Sequence, residues 1–137
     1  PVRNGRRPFA NLQQIVDLHA LAADGGAVEC RVAFHSSQPG TADRYLIRLA
    51  AFAEPPEQVR PLWWGSLDAA MAETSRGLTA PAGSTGWQSL AARLDVPAGA
   101  RSLVIEIRAR SLDSEVERPH YIDDVRATLF TPRGPRP

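Results

Sequence analysis

The sequence has one cysteine, Cys30, and this scarcity excludes two ways of stabilising a small protein. A single thiol forms no internal disulfide and cannot build a zinc site from several thiolates. Cys30 stands in an alternating apolar run, where a lone cysteine usually behaves as a small buried hydrophobic residue. The chain must therefore rely on an ordinary hydrophobic core, and 137 residues suffice for one domain.

The sequence has no lysine, so all sixteen basic residues are arginine. Fifteen acidic residues oppose them, and the net charge of +1 at pH 7 argues against a nucleic-acid partner. The arginine bias leaves two interpretations open, codon usage or bidentate recognition of carboxylates and sulfates. Outward arginines alternate with acids along the expected strands, and this favours a mixed-charge solubilising ladder over an anion-binding surface.

Long apolar runs are missing too, since none approaches the ~18–20 residues of a membrane span. We expect no direct membrane insertion of this fragment. The chain begins with Pro1 and shows no signal-peptide pattern, so we expect a piece of a longer protein. Residues 1–10 and 132–137 are rich in Arg, Gly and Pro and are expected to be linkers around one domain, 11–131.

Motifs for catalysis and phosphate binding are absent as well. There is no glycine-rich phosphate loop, no Gly-x-Ser-x-Gly elbow and no metal-type histidine pair, because His19, His35 and His120 are far apart. We therefore expect no enzyme and no cofactor, apart from the structural calcium considered below. A small hydrolase stays an alternative, which would require two polar catalytic groups converging in a pocket.

What the sequence does contain is period-two alternation, which is typical of strands with one buried face. It predicts six strands: Gln14–Leu21, Ala27–Ser36, Asp43–Phe52, Trp87–Val96, Ser102–Arg110 and Tyr121–Phe130. In the fifth, Glu106, Arg108 and Arg110 are expected outside. Turn signals between the strands and the lack of long helices predict an all-β fold, an antiparallel sandwich or barrel. Residues 66–76 fit either a short helix or an edge strand, and the all-β context favours the strand.

Two features are candidates for function. Asp123-Asp124 lies inside the last strand, where successive side chains face opposite sides, so one carboxylate should point inward or toward a sheet edge. It could accept backbone N–H bonds, bind a hard cation such as Ca²⁺, or act in catalysis. The second feature is aromatic: Trp63, Trp64, Trp87 and Tyr121 either fill the core or stack, exposed, on a sugar or a protein partner.

The stretch 86–130 carries a resemblance. Gly86-Trp87-Gln88, Val96-Pro97-Ala98-Gly99 and Tyr121-Ile122-Asp123-Asp124-Val125 resemble the C-terminal half of galactose-binding-like jelly-roll modules, which include carbohydrate-binding modules. Residues 12–130 look like the jelly-roll domain that follows the membrane anchor of some bacterial FecR-like sensor proteins.

The resemblance implies a non-catalytic, jelly-roll β-sandwich appended to a larger extracytoplasmic protein, periplasmic or on the cell surface, anchored through a preceding region. Its expected partner is a glycan or another protein, or its role is a purely structural spacer. It also implies that Asp123 supports a structural Ca²⁺ or a hydrogen-bonded loop. The acidic residue that often completes such a calcium site is not evident before Phe9.

Overall fold

Two four-stranded antiparallel sheets make up the computed structural model, which describes residues 10–19, 24–36, 42–59, 69–80, 86–112, 120–132 and 134–136. The strands are β1 (Ala10–Asp17), β2 (Gly26–Ser36), β3 (Asp43–Phe52), β4 (Ala72–Ala80), β5 (Gln88–Val96), β6 (Ser102–Ser111), β7 (His120–Thr131) and β8 (Gly134–Arg136). Sheet A has the order β1-β6-β3-β4, and sheet B has the order β5-β2-β7-β8. The predicted all-β antiparallel sandwich is confirmed, and its type is jelly roll.

The core lies between the two sheets and is built by the alternation read from the sequence. The inner face of β2 supplies Val28, Cys30, Val32 and Phe34, all buried. The inner face of β3 supplies the buried Tyr45, Ile47 and Leu49. Cys30 is fully enclosed in this cluster, as its position in an apolar run predicts.

A second, smaller apolar cluster lies on the outer face of sheet A. Phe52 and Val104 on the sheet pack against Val59, which ends a helical turn at 56–59. Together with Ala50 they are completely buried. This cluster covers one end of the outer face and leaves the other end, toward Arg44 and Arg110, without it.

Several boundaries differ from the sequence-based expectation. β1 runs from Ala10 to Asp17 and not to residue 21, because the Asp17 carboxylate accepts the His19 N–H and His19 turns the chain at a φ of 46°. Residues 66–68 lie outside the described residues, but from Ala72 onward the strand interpretation of 66–76 is confirmed: pairing with β3 outweighs the helical preference of alanine. Gly134–Arg136, expected in a linker, pairs with β7 as a short strand.

Candidate functional site

An aromatic cluster forms at one end of the outer face of sheet B, and we define it as His35, Trp87 and Tyr121. The His35 ring lies 5.2 Å from the Trp87 ring and 6.0 Å from the Tyr121 ring, centroid to centroid. Trp87 and Tyr121 are each 52% exposed, a large fraction for side chains of this size. The cluster therefore presents apolar ring surface to solvent.

Strand order explains why these three residues meet. β2 lies between β5 and β7, His35 pairs with Tyr121, and Phe34 pairs with Gln88, the neighbour of Trp87. Phe34 is buried, so the alternation turns His35 outward. The sequence pointed to Trp87 and Tyr121 as aromatic candidates, but it gave no signal that they and His35 are neighbours.

A shallow depression of about 280 Å³ continues from the aromatic cluster along the same face. It is lined by Arg31, Val32, Ala33, Ser89, Leu90, Ala91 and Asp124. Ala33 and Ser89 are register partners, and both are small, so the floor stays low between the rings and the charged end. At that end the Arg31 Nε lies 2.6 Å from Glu29 Oε1, and the Arg126 Nε lies 2.7 Å from Asp124 Oδ1.

These two ion pairs contribute little to stability, because all four side chains are in contact with water. Their remaining donors and acceptors are free to bind a ligand. The depression therefore combines ring surface at one end with hydrogen-bonding groups at the other, which is the combination that a sugar requires.

Asp123 and Asp124 do not divide between the two sides of the strand as alternation predicted. Both are exposed, because the register of β2 against β7 shifts between Arg31 and Ala33 and Asp124 adopts a φ of 51°. This β-bulge inserts an extra residue and interrupts the alternation. The Asp123 Oδ1 accepts the Asp124 N–H at 2.8 Å, which matches the hydrogen-bonded alternative.

Asp123 stays a predicted calcium ligand, which the described residues do not test. Its neighbour Asp124 is engaged by Arg126, and no three His, Cys, Asp or Glu side chains gather anywhere in the described ranges to hold a metal. A hard cation such as Ca²⁺ takes six to eight oxygen ligands. Trp63 and Trp64, the other two aromatic candidates, lie outside the described residues.

The environment of Glu106 differs strongly from the sequence-based expectation. This residue was expected outside, and it does lie on the outer face of sheet A, but it is completely buried. The Arg108 Nε lies 2.8 Å from its Oε1, the Arg48 Nη1 lies 3.8 Å from the same oxygen, and the Gln13 Nε2 donates to its Oε2 at 2.5 Å. The neighbouring strands β1 and β3 supply Gln13 and Arg48, and only their pairing with β6 reveals this cover.

Two further findings concern the described part of the chain. None of its segments forms a helix with the length and apolar character needed to cross a membrane. His19 forms an exposed pair with Asp17, whereas His35 and His120 contact aromatic rings. The three histidines therefore take part in different local structures.

No protein-family model matches this chain, and no curated protein matches it. Among solved structures, it is similar to the enzymatically active domain of tailspike protein 4 from bacteriophage CBA120, with a TM-score of 0.52, 18% identity, and coverage of 88% of this chain and 14% of that one. It is also similar to a CBM4 structure, with a TM-score of 0.50, 14% identity, and coverage of 87% and 60%. The chain thus spans less than two thirds of either protein. At these identities the likeness establishes the fold, a jelly-roll β-sandwich.

Proposed function

We propose that this domain is a non-catalytic carbohydrate-binding module, and that its ligand lies along the outer face of sheet B. The observation that carries the proposal is the exposure of Trp87 and Tyr121 on either side of His35, beside a depression with charged groups at its far end. The CBM4 structure with the same fold supports it. We further propose that the module belongs to a longer, extracytoplasmic protein, as the FecR-like resemblance implies.

The dimensions of the face suit a short stretch of glycan. From His35 to Arg31 the strand advances four residues, which corresponds to ~13 Å. Rings at one end stack on the apolar face of a sugar, and hydroxyl groups further along bond to Arg31, Ser89 and Asp124. The low floor at Ala33 admits the ligand without requiring a deep pocket.

Binding and not catalysis is proposed because the described residues assemble no reactive group. The nearest carboxylate to the depression is Asp124, and it is exposed and paired with Arg126. Glycoside hydrolysis requires two carboxyl groups across one glycosidic bond. The histidine in the aromatic cluster contacts two rings and has no carboxylate among its described partners.

A glycan array followed by titration calorimetry tests the proposal. Trp87→Ala and Tyr121→Ala are each expected to weaken binding of the strongest array hit about five- to a hundredfold, if stacking of a sugar on one ring is worth the ~1–3 kcal/mol known for a stacked base. Leu12→Ala is the matched control, because Leu12 is a similarly exposed apolar residue at the edge of sheet A. Circular dichroism should show unchanged melting for all three. A blank array for the unmutated domain, or full affinity in Trp87→Ala, would refute this site.

The second candidate function is a structural or protein-interaction domain. Leu12 on β1 and Val125 on β7, which are 54% and 48% exposed, are the positions at which it can be tested. A continuous exposed apolar patch marks a contact surface, whereas single exposed apolar residues are ordinary. A domain that binds no glycan and whose Val125→Arg variant loses self-association or binding to its parent chain would have this function.

A further inference from the structure

The end of sheet A's outer face that the small apolar cluster leaves uncovered carries a group of arginines. We define the arginine face as Arg44, Arg48, Arg108 and Arg110. Register places Arg44 opposite Arg110, Leu46 opposite Arg108, and Arg48 opposite Glu106. Tyr45, Ile47 and Leu49 are buried on the inner face of β3. Arg44 and Arg48 alternate with these residues, so their side chains lie on the outer face. Arg108 and Arg110 share rows of the register with outward residues of β3 and lie on the same face.

The charges on this face are not balanced. Glu106 contacts both Arg48 and Arg108, and within the described ranges neither Arg44 nor Arg110 forms an ion pair. In the described rows from Arg44 to Arg48, four guanidinium groups stand against the carboxylate of Glu106, and the next row adds the exposed Glu73, so an excess of two positive charges is left. Arg44 and Arg110 are direct cross-strand neighbours, and like charges in that arrangement are destabilising. A mixed-charge ladder, as the sequence favoured, would place an acid at one of these two positions.

Three of the four guanidinium groups, those of Arg44, Arg48 and Arg108, are held by described partners. Arg44 bonds through Nη1 to Thr79 Oγ1 at 3.0 Å and lies directly over Gly77, where any Cβ would collide with it. Arg108 and Arg48 are anchored by the buried Glu106, yet keep 36% and 27% of their side chains exposed. Burying a carboxylate costs free energy, so Glu106 is more than a solubilising surface charge. Its geometric effect is to orient two guanidinium groups on the sheet surface.

We propose that the arginine face is a second binding site, which takes the carboxylate or sulfate groups of an anionic polysaccharide. Planar guanidinium groups bond such anions in bidentate fashion, and fixed ones lose less entropy on binding than mobile ones. The site lies on the sheet opposite the aromatic cluster and does not depend on the neutral-glycan proposal.

A polysaccharide fits this face better than an acidic peptide does. The flanking positions hold Asn11 and Gln13 on one side and Ser75 and Thr79 on the other, which supply partners for sugar hydroxyls. Of the described residues in these rows, Leu46 is the one large apolar side chain, and it is half-buried. A peptide partner would require a pocket for an anchoring side chain. From Arg44 to Arg48 the face extends ~13 Å, enough for a short stretch of an extended polymer.

The experiment measures binding of polygalacturonate, dextran sulfate and neutral dextran by affinity electrophoresis and calorimetry at low and moderate salt. Binding of either polyanion, weakened by salt, with no binding of dextran, is expected; the two polyanions distinguish carboxylate from sulfate. The double variant Arg44→Gln/Arg110→Gln should weaken binding at least tenfold. Arg93→Gln, which removes an exposed arginine from sheet B, is the matched charge control and should bind as the unmutated domain does.

A second variant tests the role of Glu106. Glu106→Gln keeps the size of the side chain and makes the face more positive, so a simple charged patch would bind polyanions more tightly. Orientation by Glu106 predicts weaker binding instead, and circular dichroism at the temperature of the binding assay must show that the variant is folded, whatever its melting temperature. Gly77→Ser, which displaces the Arg44 guanidinium, is expected to weaken binding without touching Glu106.

Three outcomes would overturn the inference: equal loss in Arg93→Gln, tighter binding in Glu106→Gln, or binding of polyglutamate as tight as that of polygalacturonate with the same arginine dependence. Trp87→Ala is expected to retain polyanion binding. Absence of neutral-glycan binding, with polyanion binding retained, would refute the proposal for sheet B and leave the proposal for the arginine face intact. The two proposals can therefore fail separately.

Discussion

Phe34 and Tyr45 stack across the sandwich, with ring centroids 4.4 Å apart and planes 12° from parallel. Phe34 lies on β2 of sheet B, Tyr45 lies on β3 of sheet A, and both are buried. The same end of the molecule carries the aromatic cluster, since His35 follows Phe34 directly. The inner stack therefore fixes the strand end from which the outer cluster projects.

Phe34→Ala should lower the free energy of unfolding by about 3–5 kcal/mol, because it removes a buried ring and leaves a cavity between the sheets. Urea denaturation measures the change. Val125→Ala, at an exposed position on β7, should change stability by less than about 0.5 kcal/mol. Equal losses of unfolding free energy in the two variants would show that the Phe34–Tyr45 stack stabilises the fold no more than an exposed residue does.

Asp43→Asn is expected to stabilise the protein. Asp43 is 1% exposed, and among the described residues neither of its carboxylate oxygens has a hydrogen-bond partner. Because a neutral amide costs less to bury than a carboxylate but is itself left without a partner, the substitution should raise the unfolding free energy by at most about 1–3 kcal/mol, whereas Asp95→Asn at an exposed position should not. A lower melting temperature, with the loss matched by chelation of Ca²⁺ from the unmutated domain, would show that Asp43 holds a cation.

Chelation also tests the calcium expectation at Asp123. Because Asp123 is exposed and bonds to the next backbone amide, EDTA and Asp123→Asn should each leave the melting curve unchanged. Differential scanning calorimetry with excess EDTA and then excess Ca²⁺ is the measurement, since a ligand of the native state raises its melting temperature. A drop with EDTA that Asp123→Asn abolishes would support the calcium site.

Asp124 should tolerate glycine or asparagine and reject valine. Its φ of 51° lies in the left-handed region, where a β-branched residue is strained. Asp124→Val should cost about 1–3 kcal/mol, while Asp123→Val, one residue earlier and outside the bulge, should cost less. Chemical denaturation measures the free energy of unfolding of both valine variants. Equal losses would show that backbone strain at Asp124 is not the cause.

Burial raises the pKa of the Cys30 thiol from 9.0 to about 11. The native protein should therefore resist Ellman's reagent at about pH 8 and react once unfolded. Since the folded pKa lies above the unfolded one, the unfolding free energy should hold below pH 9 and fall between pH 9 and 11, by an amount on the order of 2 kcal/mol. Cys30→Ala should remove that slope, and a slope that persists would assign it to other groups.

β2, β3 and β5 were predictable because one buried face imposes period two on them. β8 was not, since three residues without alternating polarity carry no such signal. The bulge at Asp124 and the burial of Glu106 escaped prediction for a different reason. Both depend on which strands become neighbours, and alternation along one strand does not encode that.

The aromatic cluster and the arginine face illustrate the same limit. His35 and Tyr121 are far apart in sequence, and so are Arg44 and Arg110. Residue types suggested stacking and anion recognition, but the strand order decided which rings and which guanidinium groups share a surface.

The strand order has a kinetic consequence. β1 pairs with β6 and β2 pairs with β7, whereas only β3–β4 and β7–β8 join neighbours in sequence. Sheet A cannot close until β6 has left the ribosome, and sheet B cannot close until β7 has left it, so β1 stays without its partner strand until most of the domain has been made. Large loops must close before such contacts form, and domains of this kind fold on a millisecond-to-second scale. A need for chaperones during translation, and insoluble product from chains truncated before residue 131, follow from this arrangement.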